Sequence, residues 1–186
     1  MKLKVKIGVS NHHVHLKKET YEALFDEPIK KKKYLNQIGQ FESEQTLTIK
    51  TDKYEISNVR VLGPFRNYDQ VEISKSDARK LGINPPVRDS GDLKDALEIT
   101  LVTEKSRVVV KGCILAKRHI HMNTTEALKL GIKNLQPMRL IIDNEKSGTL
   151  NGVVKVSDDG YFEAHIDPDE AAAFNLNNND EVEVEI

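Results

Sequence analysis

Three stretches of this chain align with one another without gaps, and this internal repeat constrains the fold more than any other feature of the sequence. They begin at Val71 (VEISKSDARKLGI), Ile120 (IHMNTTEALKLGI) and Ala164 (AHIDPDEAAAFNL). Each combines a strand end, a polar stretch that can cap a helix, an acidic residue followed by Ala, and a Gly-Ile or Asn-Leu close. Gly and Asn tolerate positive φ and are typical of helix ends. Each stretch therefore predicts a strand that runs into a short helix.

A fourth, looser copy begins at His13 (HVHLKKETYEAL) and has a longer polar cap. Such repetition indicates duplicated units of strand, short helix and turn. The spacing between the copies is irregular, so an open solenoid is not expected. The sequence favours a pair of related small β-barrels instead.

Short segments of apolar and β-branched residues recur along the chain, separated by turn residues such as NEKSG, SDDG and NNND. They predict a mainly β protein. Four short helices are predicted at about 18–25, 75–81, 124–130 and 167–174, each beginning near a Ser, Thr or Asp that can cap it. The four lysines at 30–33 are interpreted as a solvated loop or turn, with steering of phosphate as the alternative.

Composition narrows the class of protein. The chain has 186 residues, of which 38% are hydrophobic and 31% charged, enough for one domain or two small ones. The net charge of −1 indicates no nucleic-acid surface, and no apolar run is long enough for a membrane span. Cys113 is the only cysteine, which excludes an internal disulfide and favours a cytoplasmic setting; its thiol is predicted to lie in the core. Phosphate-binding glycine loops and nucleophilic-serine motifs are absent.

Two His-x-His pairs, His13/His15 and His119/His121, are the candidate chemical groups. Residues i and i+2 of a strand project to the same face, so each pair can converge on one metal ion. In the alignment of the repeats, His15, Glu72, His121 and His165 occupy the same register. His165 and Glu72 are thus the available third ligands, and the spacing alone does not say which pair each joins. His12 projects to the opposite face from His13 and is predicted not to be a ligand.

Imidazole and carboxylate ligands suit zinc, iron, cobalt or nickel. Three protein ligands leave a position open, which is typical of catalytic sites. Arg66, in the turn segment GPFRNYDQVE, is a candidate anion-binding residue, and Gln70 lies two residues before Glu72 on its face. Arg88 is a weaker anion candidate. Ser90 and Gly91 follow in a loop that can equally be an ordinary turn.

The motifs GVSNHHVHL, GPFRNYDQVEIS, RDSGDL, AKRHIHM and HIDPDEA occur together and in this order. In this the chain resembles the PduL-type phosphate acyltransferases (phosphotransacylases), over nearly its whole length. The family interconverts acyl-CoA plus phosphate with acyl phosphate plus CoA. The resemblance implies coenzyme A or acyl-CoA and inorganic phosphate as partners, and it leaves a homo-oligomer open.

The resemblance also implies a fold and a site. It implies two β-barrels capped by short helices, made by residues 1–11 with 118–186 and by 12–117, with the active site between them. One zinc ion would be bound by His13, His15 and Glu72, and a second by His119, His121 and His165. Arg66 would be the catalytic, phosphate-binding residue. The implied reaction is direct attack of phosphate on a short-chain acyl-CoA, propanoyl-CoA or acetyl-CoA, at a two-zinc site.

The chain departs from the family's usual pattern at His12, where Arg is common, and at Asp69, where Thr is common. Asp69 adds negative charge near the predicted phosphate site, which would weaken phosphate binding or alter its pH dependence. No N-terminal encapsulation extension is visible, which favours a free cytoplasmic enzyme. Two alternatives remain: a dinuclear hydrolase of phosphoesters or thioesters with the same ligands, and a non-catalytic barrel that zinc stabilises for binding a partner.

Overall fold

A computed structural model describes all residues from Met1 to Ile186. Strands make up 46% of the chain and helices 15%, so the prediction of a mainly β fold with two barrels and short helices is confirmed. The strands are β1 (Lys2–Val9), β2 (His13–His15), β3 (Lys31–Tyr34), β4 (Phe41–Lys50), β5 (Glu55–Gly63), β6 (Gln70–Ile73), β7 (Val87–Arg88), β8 (Leu97–Val102), β9 (Arg107–Ala116), β10 (His119–Asn123), β11 (Pro137–Ile142), β12 (Gly148–Ser157), β13 (Glu163–Ile166) and β14 (Glu181–Glu185). The helices are α1 (Lys18–Leu24), α2 (Lys75–Leu81), α3 (Thr124–Leu130) and α4 (Pro168–Ala173).

The first barrel is formed by the compact unit Met1–Ser10 plus Lys117–Ile186. Its six strands close in the order β1-β13-β10-β12-β11-β14. The alternation of Lys with apolar residues in β1 explains its place in this ring. The lysines face outward, whereas Val5 and Ile7 are buried in the barrel core with Ile120, Leu140 and Val184.

The second barrel is formed by the unit Asn11–Ala116, whose hydrophobic core is its own. Here β4, β5, β2, β6, β9 and β8 close a ring, because β8 pairs with both β9 and β4. β3 extends it beside β4, and β7 beside β9. The chain passes from the first unit to the second after Ser10 and returns to the first after Ala116.

The two barrels share one plan. Parallel pairing of β2 with β5 matches that of β10 with β12, and parallel pairing of β6 with β9 matches that of β13 with β1. In this correspondence β1, the first strand of the chain, takes the place that β9, the last strand of its unit, has in the other barrel. The first barrel is therefore a circularly permuted copy of the second.

The helix ends confirm the repeat. Gly82 and Gly131 have φ of 69° and Asn175 has φ of 49°, as the Gly-Ile and Asn-Leu pairs predicted. In all three copies the amide after this residue donates to the carbonyl of the repeat's Ala five residues earlier: Ile83 to Ala78, Ile132 to Ala127, and Leu176 to Ala171. This bond is the closing bond of a Schellman motif.

The predicted N-terminal caps are found in three of the four helices. Ser74, Asn123 and Asp167 cap α2, α3 and α4 through their side chains. The prediction was wrong for α1, whose N-cap residue, Lys17, makes no side-chain capping bond.

The lysine run was also predicted wrongly. Lys31 to Lys33 belong to β3, an edge strand, and not to a loop. Lys32 and Lys33 form ion pairs with the buried Glu42 of the neighbouring strand. Lysines on an edge strand also discourage pairing with another chain. No helix in the chain has the length and apolar character required to cross a bilayer.

Candidate metal centres

The first cluster lies in the second barrel and consists of His13 and His15 on β2 with Glu72 on β6. The antiparallel register sets His13 directly opposite Glu72, and Nε2 of His13 lies 3.5 Å from Oε2 of Glu72. One potential ligand atom from each residue lies within 4.8 Å of the others, and all three residues are buried. The sequence did not decide whether Glu72 or His165 is the third residue of this cluster. In the structure it is Glu72.

The second cluster lies in the first barrel and consists of His119 and His121 on β10 with His165 on β13. His119 faces His165 across the strand pair, as His13 faces Glu72 in the other barrel. The Nε2 atoms of His119 and His121 are 3.1 Å apart. Two imidazole nitrogens at that separation can share one proton or one cation, since two lone pairs would repel. The three ligand atoms again lie within 4.8 Å of one another.

A backbone carbonyl sets the orientation of one histidine in each cluster. His13 Nδ1 lies 2.9 Å from the carbonyl of Asn11, and His119 Nδ1 lies 2.8 Å from the carbonyl of Lys117. Because a carbonyl only accepts, each Nδ1 carries the proton, and Nε2 is left with the lone pair that a metal needs. Both rings are thus in the tautomer suited to binding a cation through Nε2.

The donor sets fit zinc. One cluster offers two imidazoles and a carboxylate, and the other offers three imidazoles, which are the ligand types of catalytic zinc sites. Five of the six residues are buried, which fits a bound cation, because buried polar groups need compensating interactions.

Each cluster has a fourth polar neighbour: Gln70, which the sequence placed on the face of Glu72, and Glu163, which the sequence did not single out. Gln70 faces His15, and Glu163 faces His121. Tyr161 adds a hydroxyl 2.7 Å from His165 Nε2. Burial, helped by the charge of Glu163, raises the pKa of the Tyr161 phenol well above its usual value, so it remains a neutral phenol. The signal for Gln70 and Glu163 is their position two residues before Glu72 and His165, on the same strand face.

Arg66 lies on the loop between β5 and β6. Its backbone N–H donates to the carbonyl of Leu16, the residue after His15, so the loop is tied to the end of β2. At the start of the loop, Gly63 lies over the Phe41 ring, so closely that an added Cβ would come within 2.2 Å of it. The Nε atom of Arg66 is buried and has no hydrogen-bond partner. A buried guanidinium N–H without a partner is a donor suited to an anion.

Known proteins with similar sequences identify the family. A family model described as phosphate propanoyltransferase matches residues 6–177. A phosphate propanoyltransferase of Thermotoga maritima is 43% identical over 182 residues, covering 94% of this chain and 85% of its own length. One of Salmonella typhimurium is 43% identical with the same coverage, and one of Rhodopseudomonas palustris is 40% identical, covering 97% and 81%. The chain belongs to the phosphate propanoyltransferase family.

Membership confirms the resemblance seen in the motifs and the prediction of an acyltransferase. The names of these phosphate propanoyltransferases describe transfer, so the hydrolase alternative gains no support from them.

The two departures from the usual family pattern make structural contacts in this chain. His12 Nδ1 lies 3.1 Å from Asp77, whose side chain also closes the capping box of α2. Burial raises the Asp77 pKa, but the hydrogen bond and charge of His12 outweigh it and lower the pKa. Asp69 accepts hydrogen bonds from Lys17 N–H and the Thr20 hydroxyl, both at 2.8 Å. It thereby caps α1 from outside the helix.

The loop with the weaker candidates has a supporting role. Arg88 donates to the carbonyls of Lys94 and Val87 and to the carboxylate of Asp95, and these contacts hold the loop together. Ser90 and Gly91 both contact the side-chain amide of Gln70.

Proposed function

We propose that this chain transfers a short acyl group between coenzyme A and phosphate, interconverting acyl-CoA plus phosphate with acyl phosphate plus CoA. Propanoyl-CoA is the first substrate to test, because the relatives are named for propanoyl transfer, and acetyl-CoA is the second. The observation that carries the proposal is the recurrence of a three-ligand cluster at the matching strand ends of both barrels, in a chain of this family.

We infer that each cluster binds one zinc ion, two per chain. His13, His15 and Glu72 would bind one, and His119, His121 and His165 the other. When bound, zinc would supply positive charge that polarises the thioester carbonyl and stabilises the departing thiolate. The hydrogen bonds from Nδ1 of His13 and His119 to backbone carbonyls support zinc binding. They keep the proton on Nδ1, so the lone pair of Nε2 is available to a metal.

In the proposed reaction a phosphate oxygen forms a bond to the thioester carbon, the carbon–sulfur bond breaks, and CoA leaves as the thiolate. Arg66 would hold the phosphate, since its guanidinium matches phosphate oxygens and offsets the repulsion between two anionic substrates. The transfer would be direct, without an acyl-enzyme. Burial raises the pKa of Cys113, the only thiol of the chain, to about 12, which removes it as a nucleophile.

The decisive assay measures thiol release from propanoyl-CoA and acetyl-CoA, with and without phosphate and with and without a chelator, beside metal analysis. We expect release to require phosphate, to stop after chelation and to return with zinc. Release without phosphate would support a hydrolase instead. Ping-pong kinetics or a trapped acyl-enzyme would contradict direct attack. Unfolding on chelation, with no activity beforehand, would support a barrel that zinc only stabilises.

Arg66→Ala tests the phosphate-binding role. The loss of a charged hydrogen bond corresponds to about a 10–100-fold rise in the KM for phosphate, with a smaller change in the KM for acyl-CoA. Arg79→Ala, on the exposed side of α2, is the matched control and should leave both constants unchanged. Unchanged phosphate kinetics in Arg66→Ala would refute the assignment.

We also propose a cytoplasmic location. A single cysteine is the usage typical of proteins in reducing compartments. Fractionation of cells that express the full-length protein tests this, and recovery in a microcompartment fraction would contradict a free enzyme.

A further inference from the structure

Each metal-ligand cluster consists of three of four residues that face one another on two antiparallel strands. In the second barrel, His13 faces Glu72 and His15 faces Gln70. In the first barrel, His119 faces His165 and His121 faces Glu163. Gln70 is fully buried and Glu163 is 8% exposed, so both fourth positions lie inside the protein beside the ligands.

The contacts of Gln70 fix which way its amide points. Its Oε1 accepts the backbone N–H of Gly91 at 2.7 Å, and since that N–H only donates, the atom there must be the oxygen. Nε2 is therefore the atom that donates to Glu72 Oε1 at 2.6 Å and to the Ser90 hydroxyl at 2.9 Å. A neutral donor thus holds the carboxylate ligand.

Glu163 offers a hydrogen-bond acceptor to its neighbouring ligand, where Gln70 offers a donor. Its Oε1 lies 3.1 Å from Nε2 of His165, so a carboxylate acceptor lies against the imidazole ligand. Strand β1 leaves room for both side chains by carrying Gly8 beside them. A Cβ at Gly8 would come within 2.4 Å of Glu163 Oε1 and 3.0 Å of His165 Cδ2.

We propose that Gln70 and Glu163 are matched positioning residues, each selected to suit the third ligand two residues further along its strand. A donor is needed beside Glu72, because a second carboxylate there would repel it. An acceptor is needed beside His165, because a carboxylate that accepts from Nε2–H leaves the lone pair on Nδ1 for a metal, orients the ring and raises its basicity. Each cluster then contains one carboxylate, as a ligand in one and as a neighbour of the ligand in the other. The inference rests on the proposed metal sites.

The first test is the affinity of the full-length protein for zinc, measured by competition with a chromophoric chelator. In Glu163→Gln we expect one of the two ions to bind about 10–100-fold more weakly, and the other to bind as in the wild type. Glu126→Gln, an exposed carboxylate of α3 in the same unit, is the control and should retain both affinities. Wild-type affinity for both ions in Glu163→Gln would overturn the proposal.

An exchange of pairs separates positioning from mere packing. Glu72→His alone sets an imidazole beside the amide of Gln70 and should weaken binding of one ion. Adding Gln70→Glu recreates the Glu-x-His pair of the first barrel and should restore much of the affinity, which a purely structural role would not predict. A double variant that binds no more tightly than the single one, with both folded by their melting curves, contradicts the matching.

The outcomes separate this inference from the proposed function. Wild-type protein that binds two ions and requires phosphate, together with variants of unchanged affinity, overturns only the matching. Wild-type protein that binds no ion overturns both.

Discussion

At the scale of single residues, the clusters depend on which nitrogen of each histidine carries its proton. In His13 and His119 the choice is local, since the carbonyl two residues earlier accepts a hydrogen bond from Nδ1–H in both barrels. The same backbone segment therefore supplies both the candidate ligand and the carbonyl that fixes its tautomer. A duplicated strand end carries this contact with it to the second barrel.

Cys113 provides a prediction about reactivity. Burial raises the pKa of its thiol to about 12, so almost no thiolate exists near neutral pH. We expect iodoacetamide at about pH 8 to leave the folded protein unlabelled by mass spectrometry, and to label it after denaturation. Rapid labelling of the folded protein, at the rate of a small-molecule thiol, would contradict this.

Gly63 provides a prediction about packing before the Arg66 loop. An added Cβ would overlap the buried Phe41 ring, which is its partner across the strands. We expect Gly63→Ala to lower the free energy of unfolding by about 1–3 kcal/mol and to raise the KM for phosphate, measured by denaturant titration and by kinetics. Gly39→Ala is a contrasting control, because a Cβ at Gly39 meets nothing within 4 Å and only its positive φ is strained. Equal losses at both positions would show that the ring contact is unimportant.

The residues of the two clusters also show which parts of the site the sequence alone can predict. The His-x-His pairs were found because two-residue spacing is a local property of strands. The assignment of Glu72 and His165 to their pairs depends on strand register, which is not local, and the sequence spacing left it open. Glu163 has the same two-residue spacing from His165 that Gln70 has from Glu72, but its place opposite His121 depends on the pairing of β13 with β10.

At the scale of elements, capping divides into local and distant cases. Ser74, Asn123 and Asp167 lie next to their helices and were recognisable as polar residues in the repeat. For α1 the acceptor is Asp69, 52 residues from Lys17, and no pattern along the chain reveals it. The strand β3 escaped prediction for a similar reason, because its lysines are held by charges on a neighbouring strand.

Glu42 makes a pH-dependent contribution to that strand pair. Burial raises its pKa, but the hydrogen bond of Lys32 and the charges of Lys33 and Arg60 outweigh this and lower it. A carboxyl with a lowered pKa stabilises the fold above its unfolded pKa, and this stabilisation is lost as the pH falls through the folded value. We expect Glu42→Gln to cost about 1 kcal/mol at neutral pH, since the lysine partners are exposed and screened.

Melting curves of Glu42→Gln and wild type should therefore converge as the pH falls below about 4. Glu98→Gln, an exposed strand position in the same unit, is the control. A difference that is constant from neutral to acidic pH would show that charge is not the cause.

At the scale of the whole molecule, the shared plan extends to strand order, helix position and ligand register. The barrels differ in the strand at which the chain begins each of them: β2 in the second barrel and β1, the equivalent of β9, in the first. The Met1 amino group donates to the Ile186 carbonyl at 2.9 Å, so the first barrel is closed where the two chain ends meet.

That contact predicts a viable circular permutant. A short linker from Ile186 to Met1, with new ends between Ala116 and Lys117, makes each compact unit continuous in sequence. We expect a cooperative melting curve close to that of the wild type and the same metal content as the wild type. Opening the chain instead between Val110 and Lys111, inside β9, should abolish folding. Loss of the fold in the first permutant would contradict the prediction.

The position of β1 also determines the order in which the protein can be completed on the ribosome. β1 is synthesised first, yet its partners β13 and β14 are among the last strands to emerge. Residues 11–116 can close their barrel while synthesis continues, because every strand of that ring lies within them. β1 meanwhile has two unpaired edges, and its alternating lysines are then the safeguard against pairing with other nascent chains.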